Sequence, residues 1–308
     1  MAQRFNNQHQ EARTSTKLTS PELIRLVYHP APEPLQPFIT TLFTLRCDET
    51  EIRDVLPAAV GYLVVMLNGD GTLRFADGTQ GTSFPELVLT PTTAAVEVDV
   101  AGPWAMIGAA LSPLGWAALT GLHAGDHRDR IYDAGTLLGP AVQELGATLR
   151  SSTANDEDMA AMLAGFIGPR LNVPPPDRIA MMKHVGDWLS SAFDPPVADL
   201  VARMGYSERQ VQRLVERYFG ASPKQLARKY RALRVAALLQ ADDTSDARLA
   251  EVTNLFFDQP HMIRELRHFL GRTPSRLNSD ANPLLAATSG VRGYREVRPN
   301  FARIPNES

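Results

Sequence analysis

Residues 197–218 read VADLVARMGYSERQVQRLVERY, and this stretch decides the fold of the C-terminal part of the chain. Gly205 is the residue type that most often ends an α-helix in the left-handed conformation, and Ser207 is a preferred cap for a following helix. The apolar residues after Ser207 recur at i, i+3, i+4 and i+7, which predicts one buried helix face; they are Val211, Leu214, Val215 and Tyr218. The stretch therefore predicts two short helices joined by a tight turn.

The opposite face of the second helix is polar and basic, and it carries Arg209, Gln212, Arg213, Glu216 and Arg217. Arg and Gln side chains form bidentate hydrogen bonds with guanine and adenine edges in the major groove of DNA. A short helix pair with a glycine turn is also the geometry that places a second helix in that groove. A solvated helix face without special function has the same composition, so this unit alone leaves both interpretations open.

A long helix and a second helix pair follow. Ser222 and Pro223 have the types of a cap and a first helical residue, and the pattern continues to Gln240, about 27 Å of helix at about 1.5 Å per residue. That length suits the separation of two recognition helices by about one turn of B-DNA. Asp258 then predicts the start of another helix, with an inward stripe formed by Met262, Leu266, Phe269 and Leu270.

The outward positions of this last helix are Gln259, Ile263, Arg264 and Arg267. Ile263 suits either a thymine methyl group or the edge of the protein core. The turn before the helix lacks a glycine, and Asn254 is the next best residue for a left-handed cap.

Charge separates this region from the rest of the chain. The 308 residues are 44% apolar and 21% charged, which excludes a wholly disordered chain, and the single cysteine excludes a disulfide scaffold. The net charge is −3, but residues 197–277 hold 14 Lys and Arg against nine Asp and Glu, a net of +5, and the remainder holds a net of −8. A polyanionic partner is therefore expected for the C-terminal part alone.

The region from 21 to 133 has β-strand signals. The apolar run Gly61–Leu67 predicts a buried strand. Asn68–Gly71 predicts a hairpin turn, and Leu73–Phe75 is expected to form the second strand of that hairpin. Val96–Val100 alternates with a period of two, as a half-buried strand does. Asp77-Gly78 predicts a turn, Trp104–Leu111 a further strand, and Ser112-Pro113 the start of a helix. Short strands at this spacing predict a small barrel or sandwich.

The domain prediction places a disordered tail at 1–20, a sensor or dimerisation domain at 21–172, a helical domain at 178–278 with helix pairs near 197–218 and 247–269, and a loosely ordered tail at 279–308. The proline triplet within 172–177 is the boundary because it cannot join a helix. The uncharged run 101–122 contains prolines and glycines, so it predicts a strand and a short helix instead of a membrane span. A polar N-terminus without an apolar core predicts a cytoplasmic protein.

Taken together, these motifs resemble the AraC/XylS family of bacterial transcription regulators over about residues 178–277. The resemblance lies in several motifs in the right order: GYSERQVQRL at 205–214, GASPK at 220–224, DQPHMIREL at 258–266 and GRTPS at 271–275. One departure is that residues 252–258 are shorter than the family pattern and lack its Gly-Phe pair. The first unit therefore follows the family more closely than the second.

The resemblance implies an α+β protein with a β-rich, cupin-like sensor barrel followed by an all-α domain of two helix-turn-helix subdomains. It implies double-stranded DNA as partner, a small-molecule effector or a partner at the N-terminal domain, a homodimer, and contact with RNA polymerase. No enzymatic activity, cofactor, metal or membrane partner is expected. By position, the predicted DNA-binding residues are Ser207, Arg209, Gln212, Arg213, Arg217, Lys224, Gln259, Ile263, Arg264 and Arg267.

Other constellations favour structural interpretations. His123 and His127 lie in a predicted loop and are a weak metal candidate, and Cys47 is expected to be structural although Arg46 could favour its thiolate. Trp104 and Trp116 suit either a ligand pocket or a core. Two alternative functions stay open, a barrel enzyme with a helical appendage and a regulator without a ligand. The effector, the operator and the choice between activation and repression are also left open.

Overall fold

The structure is a computed structural model that describes residues 24–239, 247, 250 and 253–277. Within these residues, bounds are assigned for eight strands, eleven α-helices and two 3-10 helices, Glu33–Leu35 and Gly168–Arg170. The strands are β1 Ile24–His29, β2 Ile39–Cys47, β3 Glu51–Leu56, β4 Gly61–Arg74, β5 Gln80–Thr82, β6 Glu86–Leu89, β7 Val96–Leu111 and β8 Ile131–Asp133. The helices are α1 Pro113–Thr120, α2 Ala124–His127, α3 Ala134–Leu138, α4 Ala141–Ser151, α5 Asp156–Ile167, α6 Pro176–Ser191, α7 Val197–Met204, α8 Glu208–Phe219, α9 Pro223–Leu239, α10 Gln259–Leu270 and α11 Pro274–Leu277.

The strands form one antiparallel sheet built around two long central strands, β4 and β7. The hydrogen-bonded order is β1-β2-β7-β4-β6-β8, with β3 paired to β7 and β5 paired to β4. One edge of β7 is thus shared by β2 and β3, while its other edge pairs with β4 along most of its length. The predicted α+β class is confirmed, and within the described residues the sheet stays open between β1 and β8 instead of closing into a barrel.

Both faces of the central strands are buried, and alternation along the strands divides their side chains between two cores. Leu63 and Val65 of β4 pack toward α1 and α3–α5, whereas Val64 and Met66 join the core on the other face. This explains why residues 61–67 are apolar without interruption, since a strand covered on both faces needs apolar residues at every position.

The predicted hairpin at Asn68–Gly71 is wrong. β4 runs through these residues and stays paired with β7, and the pairing is irregular on both sides of Asn68. Gly69 has a φ of 79°, and a Cβ atom there would lie 2.8 Å from the carbonyl oxygens of Ala101 and Pro103. Glycine therefore serves a bulge that brings β4 close to β7. The hairpin lies further on, where Asp77 and Gly78 form the predicted turn between β4 and β5.

β7 is also longer than predicted. The two strands predicted at Val96–Val100 and Trp104–Leu111 are one continuous strand of 16 residues. After it, Ser112 caps α1 as predicted, with its Oγ accepting a hydrogen bond from the Gly115 N–H at 2.9 Å. The uncharged run 101–122 is accordingly a strand followed by a short helix. No helix within the described residues is long and apolar enough to span a membrane.

Two helix starts differ from the sequence prediction. α5 begins at Asp156, earlier than the expected Met159, because Asn155 caps it through a hydrogen bond from the Asp158 N–H. The stretch around His123 and His127, predicted as a loop, contains the four-residue helix α2.

The C-terminal helices share one core with α9 at its centre. The predicted long helix is confirmed from Pro223 to Leu239, and its Arg234 is fully buried. The guanidinium of Arg234 donates hydrogen bonds to the carbonyl oxygens of Leu189 and Ala192 at the end of α6. The predicted tails at 1–20 and 279–308, and most of the first helix of the second pair, lie outside the described residues.

Candidate nucleic-acid interface and effector cavity

The first helix pair consists of α7 and α8 and is formed by local signals. Gly205 ends α7 with a φ of 65°, as predicted for a left-handed cap. Ser207 and Gln210 then form a reciprocal capping box at the start of α8. Val211 and Val215, on the inner face of α8, are fully buried. These contacts fix which face of α8 remains in solvent.

The exposed face of α8 carries all four side chains predicted to contact DNA from this helix, namely Arg209, Gln212, Arg213 and Arg217. Ser207 is exposed at its N-terminal end. Gln212 donates a hydrogen bond to Glu216 at 3.0 Å, so its amide must leave this partner in order to contact a base. The three arginines give the face a positive potential suited to a phosphate backbone.

The second recognition helix is α10. Asp258 caps it as predicted, since its Oδ1 accepts a hydrogen bond from the His261 N–H at 2.6 Å. Gln259, Arg264 and Arg267 are exposed and Ile263 is half-buried, while the predicted inward stripe of Met262, Leu266, Phe269 and Leu270 is buried. Outward and inward positions therefore separate as the spacing predicts.

Two features at the start of α10 were not predicted. Among the described residues, Asp129 is the one non-glycine residue with a positive φ, so Asn254 does not form the expected left-handed cap. Phe257, directly before Asp258, is 92% exposed. Its backbone N–H donates a hydrogen bond to Nδ1 of His261. The exposure of Phe257 could have been predicted from the sequence, because this residue lies just outside the inward stripe of α10.

A buried carboxylate holds α10 on α9. Glu265 is 1% exposed, and its two oxygens accept hydrogen bonds from Arg228 at 2.6 Å and Arg231 at 2.7 Å. Burial by itself raises the pKa of Glu265, but the hydrogen bonds from the two arginines outweigh it and lower the pKa below its ordinary value. The orientation of the second recognition helix, α10, thus depends on the ion pairs of Glu265 with two arginines of α9.

Part of the basic character of residues 197–277 points inward. Lys229, Arg231 and Arg234 of α9 are buried and bind carbonyl or carboxylate groups of the protein. Lys224, at the start of the same helix, is exposed and stays available to a phosphate. The net charge of the sequence therefore overstates the charge that a nucleic acid can reach.

The N-terminal part contacts the C-terminal ends of both recognition helices. At α10, the Ala58 N–H donates to the Phe269 carbonyl at 2.8 Å and the Ala95 N–H to the His268 carbonyl at 2.9 Å. Arg272 adds a hydrogen bond to Asp54 at 2.8 Å.

At α8, the C-terminal cap Gly220 lies beside Ala124 and Pro91, where a Cβ atom on the glycine would be 3.3 Å from the Pro91 Cβ. Both helices are therefore held at one end, and their N-terminal halves stay exposed.

A cavity of about 210 Å³ lies between the sheet and α9. Its walls come from the second core of the sheet and from the segments 56–60 and 92–98, and α9 contributes Lys229, Tyr230 and Leu233. The other side chains that surround it are mostly apolar, including Phe43, Tyr62, Met66, Leu87 and Trp104. A concave apolar space with few polar groups is typical of a small-molecule site. Trp104 lines this space, whereas Trp116 belongs to the core beneath α1.

Lys229 lines the cavity and also lies at the contact between the N-terminal and C-terminal parts of the chain. Its Nζ donates hydrogen bonds to the carbonyl oxygens of Ala59 at 2.7 Å and Thr92 at 3.0 Å. Burial lowers the pKa of Lys229 to about 7, with a smaller opposing effect from Asp129.

His123 and His127 each lie near a polar side chain, and Cys47 is buried in the core of the sheet. His123 lies 3.5 Å from Asp126, and Nδ1 of His127 is 2.8 Å from the Tyr132 hydroxyl. Within the described residues, no group of three or more His, Cys, Asp or Glu side chains is placed to hold a metal ion. Cys47 is buried, and this burial raises the pKa of its thiol, as expected for a structural cysteine.

The structure describes one complete helix pair, α7 and α8, and a second capped helix, α10, and both α8 and α10 expose basic residues, as in helix-turn-helix proteins. Residues 200–279 match the family model described as a helix-turn-helix domain. A stretch of 89 residues of the chain is 34% identical to the Escherichia coli K12 protein described as uncharacterized HTH-type transcriptional regulator YidL. Residues 200–279 are therefore similar to a helix-turn-helix domain. The matched segment covers 28% of this chain and 30% of YidL.

Structural comparison finds similarity to ToxT from Vibrio cholerae O395. One ToxT structure is 10% identical with a TM-score of 0.41, covering 83% of this chain and 96% of ToxT. Another, bound to (E)-4-(8-methylnaphthalen-1-yl)but-3-enoic acid, is 9% identical with a TM-score of 0.43, covering 84% and 98%. The AraC-like transcriptional activator CuxR has a TM-score of 0.29 at 11% identity, covering 68% of this chain and 85% of CuxR. Likeness at this level does not establish a shared ligand.

Proposed function

We propose that this protein is a sequence-specific DNA-binding transcription regulator whose DNA binding responds to a small molecule in the cavity beneath α9. The observation that carries the proposal is the pair of exposed recognition faces on α8 and α10. Arg209, Gln212 and Arg213 supply base contacts from the first face, and Gln259, Ile263 and Arg264 supply them from the second. Ser207, Arg217, Lys224 and Arg267 contact phosphates or the groove edge, which positions the protein without reading sequence.

The arrangement of the N-terminal part supports an effector role. The segments that line the cavity, 56–60 and 92–98, adjoin or contain the residues that bind the end of α10 through Ala58 and Ala95. A molecule that occupies the cavity therefore contacts the chain segments that hold the second recognition helix. An effector changes DNA affinity only by binding the DNA-competent and DNA-incompetent arrangements unequally, and this shared wall is where such a difference arises.

The remaining expectations belong to the same proposal. The sensor and DNA-binding domains are residues 21–172 and 178–278, and the protein acts in the cytoplasm as a homodimer that contacts RNA polymerase. These points rest on the resemblance to the AraC/XylS family. Two alternatives, an enzyme in the N-terminal part and a regulator without a ligand, receive no specific support from the described residues.

Selection from random DNA duplexes tests the proposal. Full-length protein is incubated with the duplex pool, and the bound DNA is sequenced. We expect a bipartite motif with half-elements about ten base pairs apart, because two recognition helices face successive major-groove turns. A single half-element would show that α10 holds phosphates only. Absence of enrichment, both for the full chain and for residues 178–308, would refute the proposal.

A further inference from the structure

Phe257 is the most exposed large apolar side chain among the residues that the structure describes. It is 92% exposed, whereas the next in order, Val173, is 52% exposed. A Phe side chain that packs fully buries about 150–250 Å², and almost none of this burial is realised at Phe257. The residue follows the buried Phe256 and directly precedes Asp258, the cap of α10. The exposed ring therefore lies at the start of the second recognition helix.

Contacts on both sides fix the backbone that carries this ring. The ring of Phe256 packs inward, with Cζ of Arg231 at 4.8 Å from its centre and the His261 ring at 5.9 Å in an edge-to-face arrangement. The Phe257 N–H donates a hydrogen bond to Nδ1 of His261 at 3.3 Å, and the His261 N–H donates one to the Asp258 carboxylate at 2.6 Å. Because its neighbours are held in this way, the fold itself directs Phe257 into solvent.

The ring does not perform the structural role that is usual at this position. An apolar residue before a helix cap often packs against the fourth helical residue, and this contact fixes how the chain enters the helix. In α10 the fourth residue is Met262, which is buried in the core of the C-terminal helices. A side chain that is 92% exposed covers almost none of Met262. Folding therefore does not account for Phe257, and removal of its ring should cost little stability.

The surface around Phe257 favours a nucleic acid as the partner that covers it. Gln259 lies two residues further on and is exposed, and the outward face of α10 continues with the exposed cations Arg264 and Arg267. An apolar protein surface would desolvate these cations at a cost, whereas a polyanion binds them. The first residues of a recognition helix are also those that contact base edges. DNA thus suits both the cations and the position of the ring.

Within the major groove, the C5 methyl group of thymine is the apolar group that a phenyl ring contacts. We propose that Phe257 packs against the C5 methyl of a thymine in the second half-element of the bound DNA and contributes to its sequence preference. The inference rests on the proposed function, in which α10 is a recognition helix. It adds a residue that reads DNA without a hydrogen bond, and it names the base that this residue selects.

Replacement of single thymines by deoxyuracil tests this contact, because uracil lacks only the C5 methyl group. The wild type first selects its motif from random duplexes. Each thymine of the second half-element is then replaced in turn, and fluorescence anisotropy measures binding by the wild type and by Phe257→Ala. Burial of one methyl-sized group changes affinity by about fourfold, so one replacement should weaken wild-type binding by about that factor. Phe257→Ala should bind the thymine duplex at least about fourfold more weakly than the wild type, and it should bind the thymine and uracil duplexes equally.

Two variants control for the substitution itself. Phe84→Ala removes another exposed Phe, which is 38% exposed between β5 and β6, and it should keep the wild-type preference for thymine over uracil at every position. Phe257→Leu keeps an apolar side chain and should retain part of the preference. Urea denaturation should give Phe257→Ala the stability of the wild type. A large loss of stability would show that the ring packs within the fold and would contradict the inference.

The outcomes separate this inference from the proposed function. If every thymine that affects wild-type binding has the same effect in Phe257→Ala, another side chain such as Ile263 reads the methyl groups and the inference is wrong. A motif without a thymine in a second half-element, or one that tolerates uracil at every position, also contradicts the inference and leaves the proposed function intact. Absence of any enriched motif contradicts the proposed function itself, and the inference fails with it.

Discussion

The buried amine of Lys229 makes a specific prediction about stability and pH. Lys229 is 6% exposed and bridges the two parts of the chain, and burial lowers its pKa from 10.5 to about 7. In the unfolded chain the amine keeps its proton up to about pH 10.4, while in the folded protein it loses it near pH 7. The free energy of unfolding should therefore be highest above this window, fall as the pH drops through it, and level off below pH 7.

The size of the effect follows from the lowered pKa. Each unit is worth about 1.4 kcal/mol, so the full window from 10.5 to about 7 has an upper limit of about 5 kcal/mol. Buried charges in proteins are stabilised by local relaxation and water penetration, and the realised effect is smaller. Between pH 7 and 9.5 we expect Lys229 to contribute a rise of about 2 kcal/mol in the free energy of unfolding.

Urea denaturation at several pH values measures this rise. Wild type, Lys229→Met and Lys183→Met are unfolded at pH 7, 8, 9 and 9.5, and the slopes of stability against pH are compared. Lys183 is an exposed lysine paired with Asp187, so its replacement controls for the loss of one positive charge. Lys229→Met should remove the rise and Lys183→Met should retain it. Parallel slopes for wild type and Lys229→Met would refute the reasoning, whatever their absolute stabilities.

Three further predictions concern DNA and the helix caps. Arg213→Ala should cost about 1–3 kcal/mol on the selected site and relax one base position, and an unchanged sequence preference in the duplex selection would exclude Arg213 as a reader. Lys224→Ala should weaken binding to all duplexes alike and reduce the slope of log affinity against log salt by about one, which titration at four salt concentrations measures. Gly271→Ala places a Cβ near Val55 at a φ of 72°, so it should lower stability by about 2–4 kcal/mol. Gly205→Ala has a similar φ of 65° but open space around it, so it should cost only the conformational part, about 1–2 kcal/mol; equal losses in urea denaturation would show that the contact with Val55 is not rigid.

Local sequence predicted α7, α8 and α10 well because the determinants of these helices act within a few residues. Gly205, Ser207 and Asp258 form the expected caps through contacts that each span at most four positions along the chain. The inward and outward positions of α8 and α10 follow from helical periodicity alone. The exposure of Arg213 could therefore be predicted without knowledge of the rest of the protein.

The β-rich part was predicted less well, because the same local signals fit two structures. Asn68–Gly71 has the composition of a hairpin turn, but these residues form a bulge in β4 since β7 continues alongside them. A glycine that tolerates a positive φ suits both arrangements. Only the pairing of β4 with residues distant in sequence decides between them.

Local sequence signals suffice to predict two capped helices with basic faces, α8 and α10, because capping and periodicity are properties of neighbouring residues. The tertiary structure alone decided which charges stay in solvent. Lys229 and Arg231 read as part of a basic surface, yet packing of α9 against the sheet and α10 turns them inward. It also decided that Trp104 lines a cavity, since the cavity exists only where the strands and α9 meet. Burial and the pairing of polar groups depend on contacts between distant segments, and composition does not encode those contacts.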